Sequence, residues 1–333
     1  MSGDASAAPP PYRAPAWLPG GHAQTIWPYF LRRPEIAFRR ERVATPDDDF
    51  WLFDWADAPD ANAPLVVLFH GLEGSSGSHY VRALFVRLAA LGWAGVVPHF
   101  RGCADEPNRL PRAYHSGDHE EIAAMLAAIR KRVGPERVVH ACGVSLGGSA
   151  LLNWLGRRGR EARSTLTCAT AVSVPLDLMA AGRSIDVGAN RIYAAHFLMT
   201  LKPKADAMAE RFPGRLDAAR IASVRSMWEF DDVVTAPLHG FNGTADYWTR
   251  ASSKPWLTKI AVPTLVLNAR NDPFVPGESL PTPAEVAPAV VLEQPEEGGH
   301  VGFATGPLPG RIDWLPLRLT AFFTAAGPRG ARR

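Results

Sequence analysis

The sequence predicts an α/β protein: a mostly parallel central sheet, flanking helices and one helical insertion. Three observations predict it. Between residue 65 and about residue 174, short apolar, β-branched segments alternate with segments of helical periodicity. That rhythm stops from about 175 to 247, where aromatics and amphipathic pieces replace strands. It resumes with two strand-like segments and a closing helix.

Each element has a local reason. Residues 36–43 and 50–54 read as short strands separated by the turn-rich Thr45-Pro46-Asp47-Asp48-Asp49. Leu65-Val66-Val67-Leu68-Phe69 is apolar at every position, as a strand buried on both faces must be, and it stops at His70-Gly71. Val81, Leu84, Phe85 and Leu88 share one face of a helix over 80–91, which Gly92 ends before a strand at 93–100. Ser116 or Asp118 can cap a helix running to about 132. A strand at 137–142, a helix at 146–155 and a strand at 165–174 follow. After the insertion come strands at 264–268 and 289–293 and a helix at 314–323.

The 333 residues, 47% hydrophobic and 21% charged, suit one large domain with an inserted cap. The expected division is a loosely ordered segment 1–14, a domain 15–326 with the cap at about 175–247, and a flexible tail 327–333. A net charge of +3 with scattered arginines argues against a nucleic-acid partner. Three widely spaced cysteines offer neither zinc spacing nor a disulfide framework. The start lacks a signal peptide's basic and apolar regions, and no run approaches the roughly 20 apolar residues that span a bilayer. The expected setting is therefore cytoplasmic, with no transmembrane anchor.

Chemistry enters at Gly143-Val144-Ser145-Leu146-Gly147, a G-x-S-x-G sequence between a strand and a helix. Such a turn strains the serine backbone and exposes its hydroxyl at the sheet edge, near a helix N-terminus. A serine hydroxyl needs a base, and the base needs an orienting acid; on this scaffold they follow in the order Ser, Asp, His. Asp272 stands just beyond the strand at 264–268, and His300 lies 28 residues on, within Gly298-Gly299-His300-Val301-Gly302-Phe303. Of ten histidines only His300 follows both a plausible acid and the final strand. Asp231, Asp232 and Asp246 are rival acids inside the insertion, without a preceding strand. The oxyanion donors are expected to be the backbone N–H groups of Leu146 and of Leu72 in His70-Gly71-Leu72-Glu73-Gly74. No Lys follows that Gly-rich loop in phosphate-loop spacing, so a nucleotide cofactor is rejected. No metal or other cofactor is expected. The polar cluster Tyr114-His115-Ser116-Gly117-Asp118 could line the active site, but polar residues that open a helix usually cap it, and the capping reading is favoured.

With these pieces in place, the chain resembles the YheT-like branch of the α/β hydrolases over most of its length. The resemblance rests on Gly21-His22-Ala23-Gln24-Thr25, His70-Gly71-Leu72-Glu73-Gly74-Ser75-Ser76, Phe100-Arg101-Gly102-Cys103 and Pro107-Asn108-Arg109. It extends to the Tyr114–Asp118 cluster, Gly143-Val144-Ser145-Leu146-Gly147-Gly148, Phe230-Asp231-Asp232, Asn271-Asp272-Pro273-Phe274 and Gly299-His300-Val301-Gly302-Phe303. The sequence departs from the family pattern at Ala23, where Leu is expected, and at Ser149, where Asn is usual. The resemblance implies the same triad, Ser145, Asp272 and His300, acting on a small-molecule carboxylic ester or an acyl lipid. Two other functions stay open: acyl transfer to an alcohol, and a non-catalytic receptor on a hydrolase scaffold.

Overall fold

The computed structural model describes residues 9–31 and 34–326; the expectations for residues 1–8 and for the tail 327–333 lie outside them. Eight strands form one sheet: β1 (Arg39–Ala44), β2 (Phe50–Ala56), β3 (Leu65–Phe69), β4 (Ala94–Pro98), β5 (Val139–Val144), β6 (Cys168–Val172), β7 (Thr264–Leu267) and β8 (Val290–Glu293). Their spatial order is β1-β2-β4-β3-β5-β6-β7-β8. β1 and β2 pair antiparallel with each other, and β2 antiparallel with β4; from β4 to β8 all neighbours are parallel.

The pleat of β3 sorts the core. Leu65, Val67 and Phe69 point to a face packed with Ile122, Met125 and Leu151; Val66 and Leu68 point to the opposite face, against Val81, Leu84 and Phe323. The first face belongs to helices His119–Val133 and Leu146–Arg158, and the second to His79–Ala90 and Trp314–Ala326. A parallel sheet survives only when both faces are covered, which explains why β3 carries no polar residue. Asp118 caps the helix at His119, accepting a bond from the Glu121 N–H, while Arg112 holds its carboxylate from outside.

Strand boundaries moved by one to three residues, and two of the shifts have a visible cause in the pairing. β2 runs two residues past its expected end, because Trp55 and Ala56 still pair with β4. β5 lies two residues later than expected, since its parallel register runs Val66↔His140 through Phe69↔Gly143, leaving Ser145 at its carboxyl edge. The insertion is helical throughout: Leu178–Ile185, Arg191–Arg211, Ala218–Ser223, Met227–Phe230, Ala236–His239 and Thr244–Ala251, with a π-turn at Asp231–Thr235. Its own apolar cluster joins Leu198, Leu201, Ile221, Met227 and Phe230. Tyr12, inside the stretch expected to be loosely ordered, is buried against Phe303 and Trp314 and donates to the Ala304 carbonyl at 2.8 Å.

Candidate active site

Ser145 stands between β5 and the helix Leu146–Arg158 with φ 52° and ψ −121°. A non-glycine backbone in that region costs on the order of 1–3 kcal/mol, so its surroundings must enforce it. They do. Its N–H donates to the Val172 carbonyl at 2.9 Å, and its carbonyl accepts from Ser149 N–H at 3.0 Å. A Cβ at Gly147 would stand 2.4 Å from the His70 carbonyl oxygen, so only glycine lets the helix start press so closely on β3.

His300 and Asp272 arrive on separate loops. Asp272 follows β7 and is buried; its Oδ1 accepts from Phe274 N–H at 2.8 Å and its Oδ2 lies 2.8 Å from His300 Nδ1. His300 Nε2 lies 3.0 Å from Ser145 Oγ. An ionised carboxylate only accepts, which assigns the imidazole proton to Nδ1 and leaves Nε2 to accept from the serine hydroxyl. The sequence-predicted Ser145, His300 and Asp272 thus form one hydrogen-bonded chain.

The loop after β3 closes beside them. An added Cβ on Gly71 would stand 3.2 Å from Ser145 Cβ. Gly71 N–H donates to Tyr80 Oη at 3.0 Å, Glu73 N–H to Tyr114 Oη at 2.8 Å, and Gly74 N–H to the Gly71 carbonyl at 2.9 Å. Among the described residues, no protein acceptor meets the N–H of Leu72. Leu146 N–H opens its helix and is likewise free of an intrahelical partner. Leu72, Leu146, Ser145 and His300 border one cavity.

The family model for the alpha/beta hydrolase fold matches residues 64–307. The chain belongs to that family. This α/β hydrolase is 38% identical, over 91% of its length and 90% of the relative's, to YheT of Escherichia coli (strain K12), which carries an esterase name. It is 28% identical, over 96% of its length and 80% of the relative's, to the human protein named Phospholipase ABHD3. Among solved structures it resembles a Pyrococcus furiosus esterase, with TM-score 0.56 and 16% identity over 88% of this chain and 92% of that one; this likeness concerns the fold. As an esterase- and lipase-type member of the family, the chain is an enzyme.

The cavity of this hydrolase, about 400 Å³, lies between the sheet and the inserted helices. Phe197, Leu201, Met208, Met227, Phe230 and Trp248 give it an apolar wall. Two other aromatics of the insertion lie outside that wall. Trp228 is partly exposed and packs edge-on against Trp248, while the Tyr193 hydroxyl meets His22 Nδ1 at 2.9 Å. The cluster at 114–118 divides: Asp118 caps its helix, but Tyr114 and Ser116 border the cavity.

The rival acids bond to other partners, Asp231 although it also borders the cavity. Asp231 accepts from Thr235 Oγ1 at 2.6 Å and Trp248 Nε1 at 2.7 Å, and burial pushes its pKa up to about 6. Asp232 pairs with Arg220 and Asp246 with Arg250. His70 is fully buried, its pKa pushed down to about 3, with Nδ1 directed at the Gly71 carbonyl. Among the described residues no helix is long and apolar enough to cross a membrane, and no cluster of His, Cys, Asp and Glu suits a metal. Cys103, Cys142 and Cys168 are free thiols.

Residue-by-residue reading missed Gln24 and Thr25. Both belong to the motif Gly21-His22-Ala23-Gln24-Thr25, whose presence near the start was the available signal. It also missed Lys204, which reaches from the inserted helices to Glu73.

Proposed function

We propose that this α/β hydrolase cleaves carboxylic esters through an acyl-enzyme on Ser145. The observation that carries the reading is the continuous chain from Ser145 Oγ to His300 Nε2 at 3.0 Å and from His300 Nδ1 to Asp272 Oδ2 at 2.8 Å. Ser145 attacks the ester carbonyl while His300 takes its proton, and the tetrahedral oxyanion receives the N–H groups of Leu72 and Leu146. His300 then protonates the leaving alcohol. Water, deprotonated by the same imidazole, attacks the acyl-enzyme and frees Ser145. Asp272 keeps the imidazole in the required tautomer and offsets the charge of the imidazolium.

The apolar wall of the cavity supports an acyl lipid as the ester, since each buried methylene contributes about 0.8 kcal/mol of binding. Relatives bearing esterase and phospholipase names agree with that substrate class.

Fluorophosphonate labelling followed by peptide mapping tests the proposal. The label is expected on Ser145, with release of one acid equivalent per p-nitrophenyl ester consumed. Labelling at another residue, or none on folded protein, overturns it. Accumulation of a new ester when an alcohol is added would turn the reading toward acyl transfer.

A further inference from the structure

The short helix Gly21–Ile26 lies against both loops that carry the proposed acid and base. Gln24 is fully buried, and all of its amide is used. Its Oε1 accepts from Asn271 Nδ2 at 3.0 Å and from Gly298 N–H at 2.8 Å, one bond to each loop. Its Nε2 donates to the Leu18 carbonyl at 2.9 Å and to Glu297 Oε1 at 3.2 Å. Thr25 Oγ1 donates to the Gly21 carbonyl at 2.7 Å and accepts from the backbone N–H of His300 itself at 2.9 Å. Asn271 completes the net, its Oδ1 accepting from Gly299 N–H at 3.0 Å.

The approach is closer than side chains would allow. A Cβ on Gly21 would stand 1.9 Å from the Asn271 carbonyl oxygen, and one on Gly302 would stand 1.9 Å from the Gln24 carbonyl oxygen. Glycines from two distant segments therefore let three stretches of backbone meet at one point. That point is one residue from Asp272 on one loop and at His300 on the other.

We infer that Gln24 and Thr25 are positioning residues for the Asp272–His300 pair. They hold the two loops in register, so that the imidazole faces Ser145 without either loop having a strand to fix it. The inference rests on the triad proposed above and adds residues that do not touch the reacting atoms. Three backbone or amide donors, at Gly298, His300 and Asn271, would lose their acceptors if Gln24 and Thr25 became apolar. A displacement of about 1 Å at a catalytic group can cost about a hundredfold in rate.

The test compares wild type with Thr25→Val, Thr25→Ser and Gln24→Met. Three quantities are read: kcat and KM on p-nitrophenyl butyrate, the fluorophosphonate labelling rate at Ser145, and the far-downfield proton resonance of the His300–Asp272 bond. Thr25→Val is nearly isosteric but offers no acceptor. It should lower kcat and the labelling rate by about 10- to 100-fold with KM within about twofold, and weaken or shift the downfield resonance. Thr25→Ser restores the acceptor and should recover most of the rate. Gln24→Met should act like Thr25→Val. Normal labelling and an unaltered resonance in Thr25→Val and Gln24→Met overturn the inference while leaving the triad intact. If wild type itself is not labelled at Ser145, the triad reading fails first. If both variants fail to fold, their role is purely structural and the inference is overturned.

Discussion

Lys204 and Glu73 join the inserted helices to the loop that carries Leu72. Lys204 Nζ lies 2.8 Å from each carboxylate oxygen of Glu73, and Tyr114 Oη donates to the same carboxylate at 3.0 Å. Glu73 holds a positive φ of 56° one residue from the expected oxyanion donor. The ion pair is half exposed at Lys204, so its contribution to global stability should stay under about 1 kcal/mol. Its effect should fall on the loop. Lys204→Ala is expected to lower kcat/KM several-fold with little change in Tm. A fall in Tm without any change in kinetics would show that the pair serves only the fold.

The triad predicts non-additive losses. Ser145→Ala and His300→Ala should each reduce kcat by about a thousandfold or more, and the double variant should be no worse than the poorer single one. Asp272→Asn should also be severe, because an amide at that position no longer fixes the Nδ1 proton. Near-normal turnover in Asp272→Asn would remove Asp272 from the mechanism.

The cavity wall predicts where chain-length preference resides. Phe230→Ala and Phe197→Ala alter the apolar wall, whereas Trp228→Ala alters a ring outside it. Steady-state kinetics across p-nitrophenyl esters of graded length should show a shifted optimum in the first two and the wild-type profile in the third. Identical profiles in all three would place the acyl chain elsewhere.

Asp231 predicts a pH signature in stability. Its carboxyl titrates near 3.8 ordinarily and near 6 when folded, because burial opposes the charge more than Thr235 and Trp248 favour it. Between those values the native state binds more protons than the unfolded one. Stability therefore falls as pH rises through that window, by up to about 3 kcal/mol, and the cost persists above it. Asp231→Asn removes the charge and gives up about 1 kcal/mol of hydrogen bonding. It should be more stable than wild type at pH 7, with the advantage shrinking toward pH 4. Denaturant unfolding at both pH values checks this, and an equal gap at the two would contradict it.

Much of this hydrolase was legible because its local signals agreed. The run at Leu65–Phe69 could only be a strand covered on both sides, and Ser145, flanked by Gly143 and Gly147, could only sit comfortably on a tight strand-to-helix turn. The order Ser145, Asp272, His300 along the chain matched one scaffold. What stayed hidden was three-dimensional adjacency. Nothing local to Trp228 tells whether its ring faces the cavity or, as here, props Trp248. Nothing local to Gln24 reveals that its partners lie near residues 271 and 298. The offset of β5 likewise came from pairing with β3, a partner more than 70 residues away.

The clamp of Thr25 on His300 spans 275 positions of chain, and the serine–imidazole contact spans 155. A ribosome delivers these parts in the opposite order to their use. Thr25 emerges long before the residue it grips, and the Ser145 turn can form 155 residues before the imidazole exists. The imidazole follows 155 residues after the serine, and in the proposed triad the hydroxyl has no base until then. On the proposed mechanism, a growing chain carries Ser145 through that stretch of synthesis without its base, so ester cleavage cannot begin until the His300 loop has emerged and docked.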